Sequence, residues 1–194
     1  MDINLNALSD EELIAEFQKT NNERAFEILV GRYKNPLTNY VFRFLGDFDR
    51  CMDVVQETMI KVYRYKDNYS NLAKFSTWIY TIAGNLARTE YRRKKRRDFL
   101  SINDYGEEHE TYDIPDECYR PDVMTDSGIK DEIIQSALLK VKEVFREVVI
   151  LRDIQGLSYE EICEITGLNE GTVKSRINRG RAQLQELLKD IYNE

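Results

Sequence analysis

Ser175 and Asn178, with Gly171 and Ala182, fall on one side of a predicted helix that begins after Asn169, and Lys174 and Arg179 flank them. Val173, Ile177, Gly180, Leu184, Leu187 and Leu188 form the opposite stripe at helical pitch. Small and polar groups in the centre with cations beside them suit a helix lying in a major groove, where base edges are read and phosphates run alongside. The preceding segment fits that reading. Ser158 and Glu161 make an S-x-x-E capping box, Ile162 and Ile165 give a short first helix its inner face, Gly167 supplies a turn, and Asn169 can cap the second helix. Together these predict a helix-turn-helix, although an ordinary amphipathic surface helix would carry the same stripe.

A second group recurs at steps of three and four upstream. Trp78, Thr81, Asn85, Arg88 and Arg92 share a helix face opposite Ile79, Ile82, Ala83 and Leu86. An aromatic, an amide and cations on one face suit single-stranded nucleic acid, whose backbone needs charge and whose unstacked bases need polar or aromatic partners. For Trp78 alone, packing at a domain edge is an equally good account. Before this helix runs a polar loop from Lys66 to Phe75, with Asn68, Tyr69 and Lys74, that can pocket a flipped base or simply join two helices. A third face is odd in another way: Val54, Val55, Thr58 and Val62 point inward, yet Ile60 lies opposite them among Asp53, Gln56, Glu57 and Arg64. An apolar residue ringed by polar ones fits a protein-docking patch, and equally an isolated exposed isoleucine.

Catalysis finds little support. The chain has no G-x-x-x-x-G-K-[ST] phosphate loop, no G-x-S-x-G elbow and no H-E-x-x-H pair. Its one histidine, His109, lies among acids and far in sequence from any nucleophile it could activate. Cys51, Cys118 and Cys163 are widely spaced and form no C-x-x-C pair, which argues against a disulfide framework and a zinc site and predicts buried thiols. Neither metal nor cofactor is expected. No apolar run is long enough to span a membrane, and MDINLNALSDEEL lacks the basic start and apolar core of a signal peptide, so a cytoplasmic protein is expected.

The elements that must hold these faces are helical. At 194 residues, with 42% hydrophobic content, 3 Pro and 9 Gly, the chain suits one sizeable helical core or two small ones. Ser9 and Glu12 box the start of a helix through Phe17; the next starts near Asn22 and must kink or restart at Pro36; a third runs from about Asp49 to Tyr65, and a fourth from about Ser76 into a basic run. Seven of the ten residues from Arg88 to Arg97 are basic, whereas Asp98 to Glu132 are dominated by acids. The net charge of −7 should therefore weaken nucleic-acid binding by the free chain, while local fields decide where a backbone docks. Residues 98–128 lose the helical period, gather acids and contain Pro115 and Pro121, which predicts a flexible linker between an all-α domain over 1–97 and a second over 129–194.

AFEILVGRYKNPL, DVVQETMIKVY and FSTWIYTIAGNLARTEYRRKKRR, followed by VFREVVILRDIQGLSYEEICEITGLNEGTVKSRINRGRAQL, resemble in order the conserved second and fourth regions of bacterial sigma factors of the extracytoplasmic-function type. The resemblance covers nearly the whole chain. It implies a transcription initiation factor that binds core RNA polymerase, opens the near (−10) promoter element with its first domain and reads the upstream (−35) element with its second. Carried over by position, Asp53, Gln56, Glu57 and Ile60 would contact the polymerase. Lys66, Asn68, Tyr69, Lys74, Trp78, Asn85, Arg88 and Arg92 would serve the near element, and Asn169, Thr172, Lys174, Ser175, Asn178 and Arg179 the upstream one, with Arg176 holding phosphate or a neighbouring helix. The acidic linker would thread toward the polymerase's active-site cleft, and a sequestering anti-sigma factor is an expected further partner. Two positions depart from the pattern: Gly84 stands where a basic residue is common, and Lys142 where a proline is common. The alternative is a stand-alone helix-turn-helix regulator that dimerises on a palindromic operator, which leaves the first domain unexplained.

Overall fold

Each helix of the first domain starts where a side chain can take up orphan backbone donors. The computed structural model describes residues 4–104 and 126–192, and all regular structure among them is helical. α1 (Asp10–Thr20) opens on a complete capping box, with the Glu12 N–H donating to Ser9 Oγ at 3.2 Å and the Ser9 N–H to Glu12 Oε2 at 2.8 Å. α2 (Glu23–Leu45) is capped by Asn22, which accepts from the Arg24 N–H at 3.0 Å, and α3 (Phe48–Arg64) by Asp47, which accepts from the Arg50 N–H at 3.1 Å. α4 (Phe75–Asp104) follows the polar loop, and its first N–H donates to Glu11 Oε1 at 3.0 Å, so a side chain of α1 caps it.

Of the kink or restart expected at Pro36, the restart does not occur: α2 runs as one helix through it. Pro36 lies on the exposed side of the helix, where the carbonyl it leaves without an amide partner can be hydrated instead. On the inner side Leu13, Ile14 and Phe17 of α1, Leu29, Leu37, Val41 and Phe44 of α2, Val55 and Val62 of α3 and Ile79 and Ala83 of α4 are buried. Each large member contributes on the order of 1.5–3 kcal/mol.

The second domain comprises α5 (Asp126–Lys140), α6 (Glu143–Val149), which runs on as a π-helical turn over Ile150–Ile154, then α7 (Tyr159–Thr166) and α8 (Glu170–Tyr192). α5 and α6 separate at Val141 and Lys142 without a proline there. The acidic stretch 98–128 is helical at both ends, since α4 continues to Asp104 and α5 begins at Asp126. Its middle, with His109, Pro115, Cys118 and Pro121, lies outside the described residues, as does its expected path through a partner. Cys51 is buried and burial pushes its thiol up to about 12, whereas Cys163 is only partly covered. The apolar stripe of α8 is buried at Val173 and Ile177 and thins toward its end, where Leu187 is 37% exposed.

The two domains are packed together rather than merely tethered: Leu138, Val148, Ile150, Leu151, Ile162 and Ile165 join the buried cluster of the first domain in one continuous core. At their seam stands Arg146, itself buried. Its guanidinium donates to Phe44 O at the end of α2 (2.7 Å), and to Leu139 O (2.7 Å) and Val141 O (3.0 Å) at the end of α5. These are carbonyls that two helix ends leave unpaired, and each end carries negative dipole charge. Phe44 and Tyr91 lie beside the same cation, 5.8 and 5.7 Å from ring centre to guanidinium carbon.

Close helix crossing in the second domain depends on one glycine. A Cβ at Gly180 would lie 2.5 Å from Val149 Cγ2 and 3.2 Å from the Phe145 carbonyl oxygen. Gly31, on the exposed side of α2, has open space around the same position. Gly180→Ala should lower unfolding free energy by about 1–2 kcal/mol, overpacking outweighing the helix propensity gained. Gly31→Ala should raise it by about 0.5–1 kcal/mol. Urea unfolding of both variants checks the opposite signs, and a Gly180→Ala protein as stable as the wild type would mean that α6 and α8 can separate without cost.

Candidate nucleic-acid interface

α7 and α8 meet as the helix-turn-helix spacing predicts. Ser158 and Glu161 form the full capping box, at 3.2 Å and 2.8 Å, and Gly167 ends α7 with φ +70°, a left-handed turn that glycine adopts without strain. Asn169 Oδ1 then accepts from the Thr172 N–H at 2.8 Å, starting α8. With Val173 and Ile177 buried below, Ser175, Asn178 and Arg179 are left exposed on the outer face. Arg176 and Arg179 border a shallow depression with Asn169, Thr172 and Ser175, closed on one side by Val144 and Phe145 of α6. Lys174 is exposed but engaged: its ammonium pairs with Glu170 at 2.5 Å and lies 5.3 Å from the centre of the Tyr159 ring. The hydrogen bond and charge of Glu170 raise its pKa.

On the first domain the expected nucleic-acid residues divide into exposed and buried sets. Asn68, Asn85 and Arg92 are exposed. Tyr69 is not available to a base: it is 7% exposed, its hydroxyl donates to Ala73 O at 2.7 Å, and its ring packs 5.3 Å from Trp78 and 5.7 Å from Phe75. Trp78 is half-buried in this trio, so it packs at the edge of the domain. The aromatics brace the loop from beneath. Lys66 lies over the Phe17 ring and donates to Asn21 Oδ1 at 2.6 Å. Gln18 of α1, which the sequence pattern did not single out, donates to Lys66 O at 2.7 Å and Tyr69 O at 2.9 Å and fixes the loop's course. Leu72, at 95% exposure, stands at its tip.

Arg88 and Lys74 are turned toward the second domain. Arg88 Nη2 donates to Asn85 Oδ1 at 2.7 Å, while its Nη1 pairs with Glu147 of α6. Lys74 donates to Glu161 Oε1 at 2.9 Å, so the carboxylate that caps α7 also reaches the loop before α4. Glu147 was overlooked because its surroundings, VFREVVIL, read as apolar core; two adjacent charges inside such a run were the available signal.

The α3 face is arranged as its pattern predicts. Asp53, Gln56 and Glu57 are exposed, Ile60 is 36% exposed among them, and Val54, Thr58 and Val62 are buried on the other side. Asp53 and Glu57 open into a cleft between α3 and α4, whose far wall is Glu90, Arg93 and Arg97. Arg50 spans its floor, pairing with Asp47 at 2.7 Å and with Glu90. The face is therefore acidic on α3 and mixed across the cleft.

Residues 29–97 match the family model described as Sigma-70 region 2, and residues 131–184 the one described as Sigma-70, region 4. The ECF RNA polymerase sigma factor SigW of Bacillus subtilis is 35% identical over 89% of this chain and 94% of its own length. The ECF RNA polymerase sigma-E factor of Haemophilus influenzae is 31% identical over 95% of this chain and 97% of its own. Among solved structures, CnrH in complex with the cytosolic domain of CnrY superposes with a TM-score of 0.70 at 26% identity, over 93% of this chain and 97% of that one. The sigma factor RpoE in complex with the anti-sigma factor NepR from Bartonella quintana gives 0.62 at 28% identity, over 84% and 96%.

Proposed function

Since the chain belongs to the extracytoplasmic-function sigma factors of RNA polymerase, we propose that its three exposed helix faces divide the work of promoter initiation among them. The protein is a transcription initiation factor that binds core RNA polymerase and directs it to promoters. It contributes position and charge to this process, not covalent chemistry. α3 docks on the polymerase through Asp53, Gln56, Glu57 and Ile60; α4 and its preceding loop handle the near element; α8 reads the upstream element. The observation that carries the reading is Ile60, an exposed isoleucine ringed by polar side chains on a domain that a stand-alone helix-turn-helix regulator would not need. A sequestering anti-sigma protein is a further partner, in keeping with the solved complex of RpoE with the anti-sigma factor NepR. Among the described residues no helix is long and apolar enough to cross a membrane, and the site of action is the cytoplasm, with the polymerase.

Promoter geometry requires the domains to separate. Elements centred near −35 and −10 lie roughly 80 Å apart at 3.4 Å per base step. A compact chain of this length has a radius of gyration of about 16 Å. Residues 105–125 could bridge at most about 70 Å if fully extended, enough once the width of each domain is added.

Ile60→Glu places a charge in the docking face. Affinity for core polymerase should fall roughly tenfold or more. Because a third of the residue is already exposed and none of its neighbours on that face is core, stability should fall by no more than about 1 kcal/mol. Fluorescence anisotropy with purified core enzyme and a thermal melt separate the two effects, and run-off transcription from genomic fragments tests initiation itself. Undiminished core affinity would remove α3 from the interface, and tight operator binding without polymerase would overturn the function.

Reading and holding separate on α8. Arg179 is exposed beside Asn178, whereas Arg176 is half-buried and close enough to Glu147 to favour its ionised form. Arg179→Ala should relax base preference at one or two upstream positions, each good bidentate contact being worth about 1–3 kcal/mol. Arg176→Ala should weaken all promoters alike and flatten the salt dependence. Initiation from a library of randomised upstream elements at two salt concentrations distinguishes them. Equal scaling of every promoter by Arg179→Ala would make it a phosphate clamp.

A further inference from the structure

We propose that Gln18, on α1 and outside the faces assigned to promoter DNA, is a positioning residue that sets base preference at the near element by presetting the loop before α4. The inference rests on the assignment of that loop to the near element.

The loop has little regular structure to hold it. Apart from the single 3-10 turn of Lys66–Asn68, its backbone groups must find partners on other elements or in water. α1 supplies them along one strip. Glu11, Gln18 and Asn21 stand seven and three residues apart, which at helical pitch keeps them on one side of α1 over about 15 Å. The loop runs back along that strip. At its start the Lys66 ammonium donates to Asn21 Oδ1 at 2.6 Å, where Asn21 ends α1 in a left-handed turn of φ +55°. Next the Gln18 amide donates to Lys66 O at 2.7 Å and to Tyr69 O at 2.9 Å. At the loop's end Glu11 Oε1 accepts from the Phe75 N–H at 3.0 Å.

Gln18 is the member that holds backbone on both sides of the turn. The two protons of its Nε2 go to two carbonyls three residues apart, so it fixes the pitch of the turn as well as its place. The turn's own bonds close over it, from the Asn68 N–H to Tyr65 O at 2.9 Å and from the Tyr69 N–H to Lys66 O at 3.0 Å. Tyr69 is thereby set with its ring buried and its hydroxyl on Ala73 O at 2.7 Å, which spans the tip from one side to the other.

The tip itself is surface. Ser70, Asn71, Leu72 and Lys74 are exposed, Leu72 almost completely. A leucine gains by turning inward, but a loop anchored at Lys66, Tyr69, Ala73 and Phe75 has little slack in which to turn it. A tip held in one shape before nucleic acid arrives has met its ordering cost on folding, and it discriminates because it cannot adjust to the wrong base. Without the Gln18 contacts it is free to fit several. Residue type is decisive here: Glu has the same shape but sets two acceptors against two carbonyls, and Met has the same reach with no donor.

The test uses the full-length chain with core polymerase and a promoter library randomised at the near element, the upstream element being fixed. The variants are Gln18→Glu and Gln18→Met. Lys19→Gln, at the next and exposed position, changes the net charge as Gln18→Glu does and serves as control. Both Gln18 variants should lose roughly three- to tenfold of the initiation ratio between preferred and disfavoured bases at one or two near-element positions, with core affinity kept within about twofold. Hydrogen exchange at the Asn68 and Tyr69 amides should quicken about tenfold in both, with the amides of α3 unchanged, a pattern that global destabilisation does not produce. The control should do neither. An unchanged base ratio, a uniform loss over all promoters or faster exchange throughout the domain would each overturn the role. So would an effect confined to Gln18→Glu or shared by the control, which would be repulsion of phosphate. The tip variant Asn71→Ala/Leu72→Ala reports on the underlying assignment. If it shifts the base ratio and the Gln18 variants do not, positioning by Gln18 fails while the loop keeps its role; if it too shifts nothing, the loop does not serve the near element.

Discussion

Two adjacent charges, Arg146 and Glu147, are buried on one short helix, and everything at the centre of the molecule is arranged to make that tolerable. Burial disfavours the charged form of both: it lowers the pKa of Arg146 and raises that of Glu147, against the opposing pull of Arg88. Neither is neutralised by the other. Arg146 spends its donors on carbonyls at the ends of α2 and α5, and Glu147 accepts from Tyr40 and Arg88. The first charge fixes where α6 ends up relative to the first domain; the second tells which residues of that domain must face it. Replacing Phe44 O beside Arg146, or Tyr40 and Arg88 beside Glu147, by water would require the domains to part.

Around that seam the remaining polar contacts are of a lighter kind. Tyr80 donates to Gln155 Oε1 at 2.7 Å, Gln155 to Asn39 Oδ1 at 2.9 Å, Gln135 to Phe42 O at 3.3 Å, and Arg43 pairs with Asp131. Neutral hydrogen bonds near solvent contribute only about 0.5–1.5 kcal/mol each and exchange readily for water. An interface with a few costly buried groups and many replaceable ones can be firm when closed yet separable by a partner that competes for the costly groups. A polymerase surface or a promoter backbone supplies the kind of competing charge that Arg88 would need.

How much of this was legible in the sequence follows from the distance between interacting residues. The capping boxes at Ser9 and Ser158, the Gly167 turn, the Asn169 cap and the inward stripes of α2, α3 and α8 depend on neighbours within one or two turns, and they appear where the pattern places them. Ile60 was legible for the same reason. At Pro36 the sequence left a kink or a restart open, and the helix does not restart, since an exposed carbonyl can use water in place of the lost amide. Tyr69 and Trp78 were ambiguous because an aromatic beside lysines can stack on a base or on other aromatics, and only the fold shows the two packed on each other and on Phe75. Nothing local tells that Tyr40, Arg88 and Glu147 meet. Gly84, a departure from the expected pattern, stands where these three meet: a Cβ there would lie 3.1 Å from Tyr40 Oη.

Net charge is the weaker guide to how this chain treats nucleic acid. The formal value of −7 is spread over the whole molecule, and at physiological salt a charge more than a Debye length away, about 8 Å, is largely screened. Glu147 and Glu161 are not at that distance. They touch Arg88 and Lys74 directly, and Glu147 does so away from solvent, where screening is weakest and the effective dielectric constant is low. Two carboxylates in contact therefore outweigh a distant excess of acids. The same balance reverses when the domains part: the basic run from Arg92 to Arg97 then keeps its local field, joined by Arg88, while the seam acids leave with the second domain. A chain with an acidic total can for this reason present a basic surface in one arrangement and conceal part of it in another.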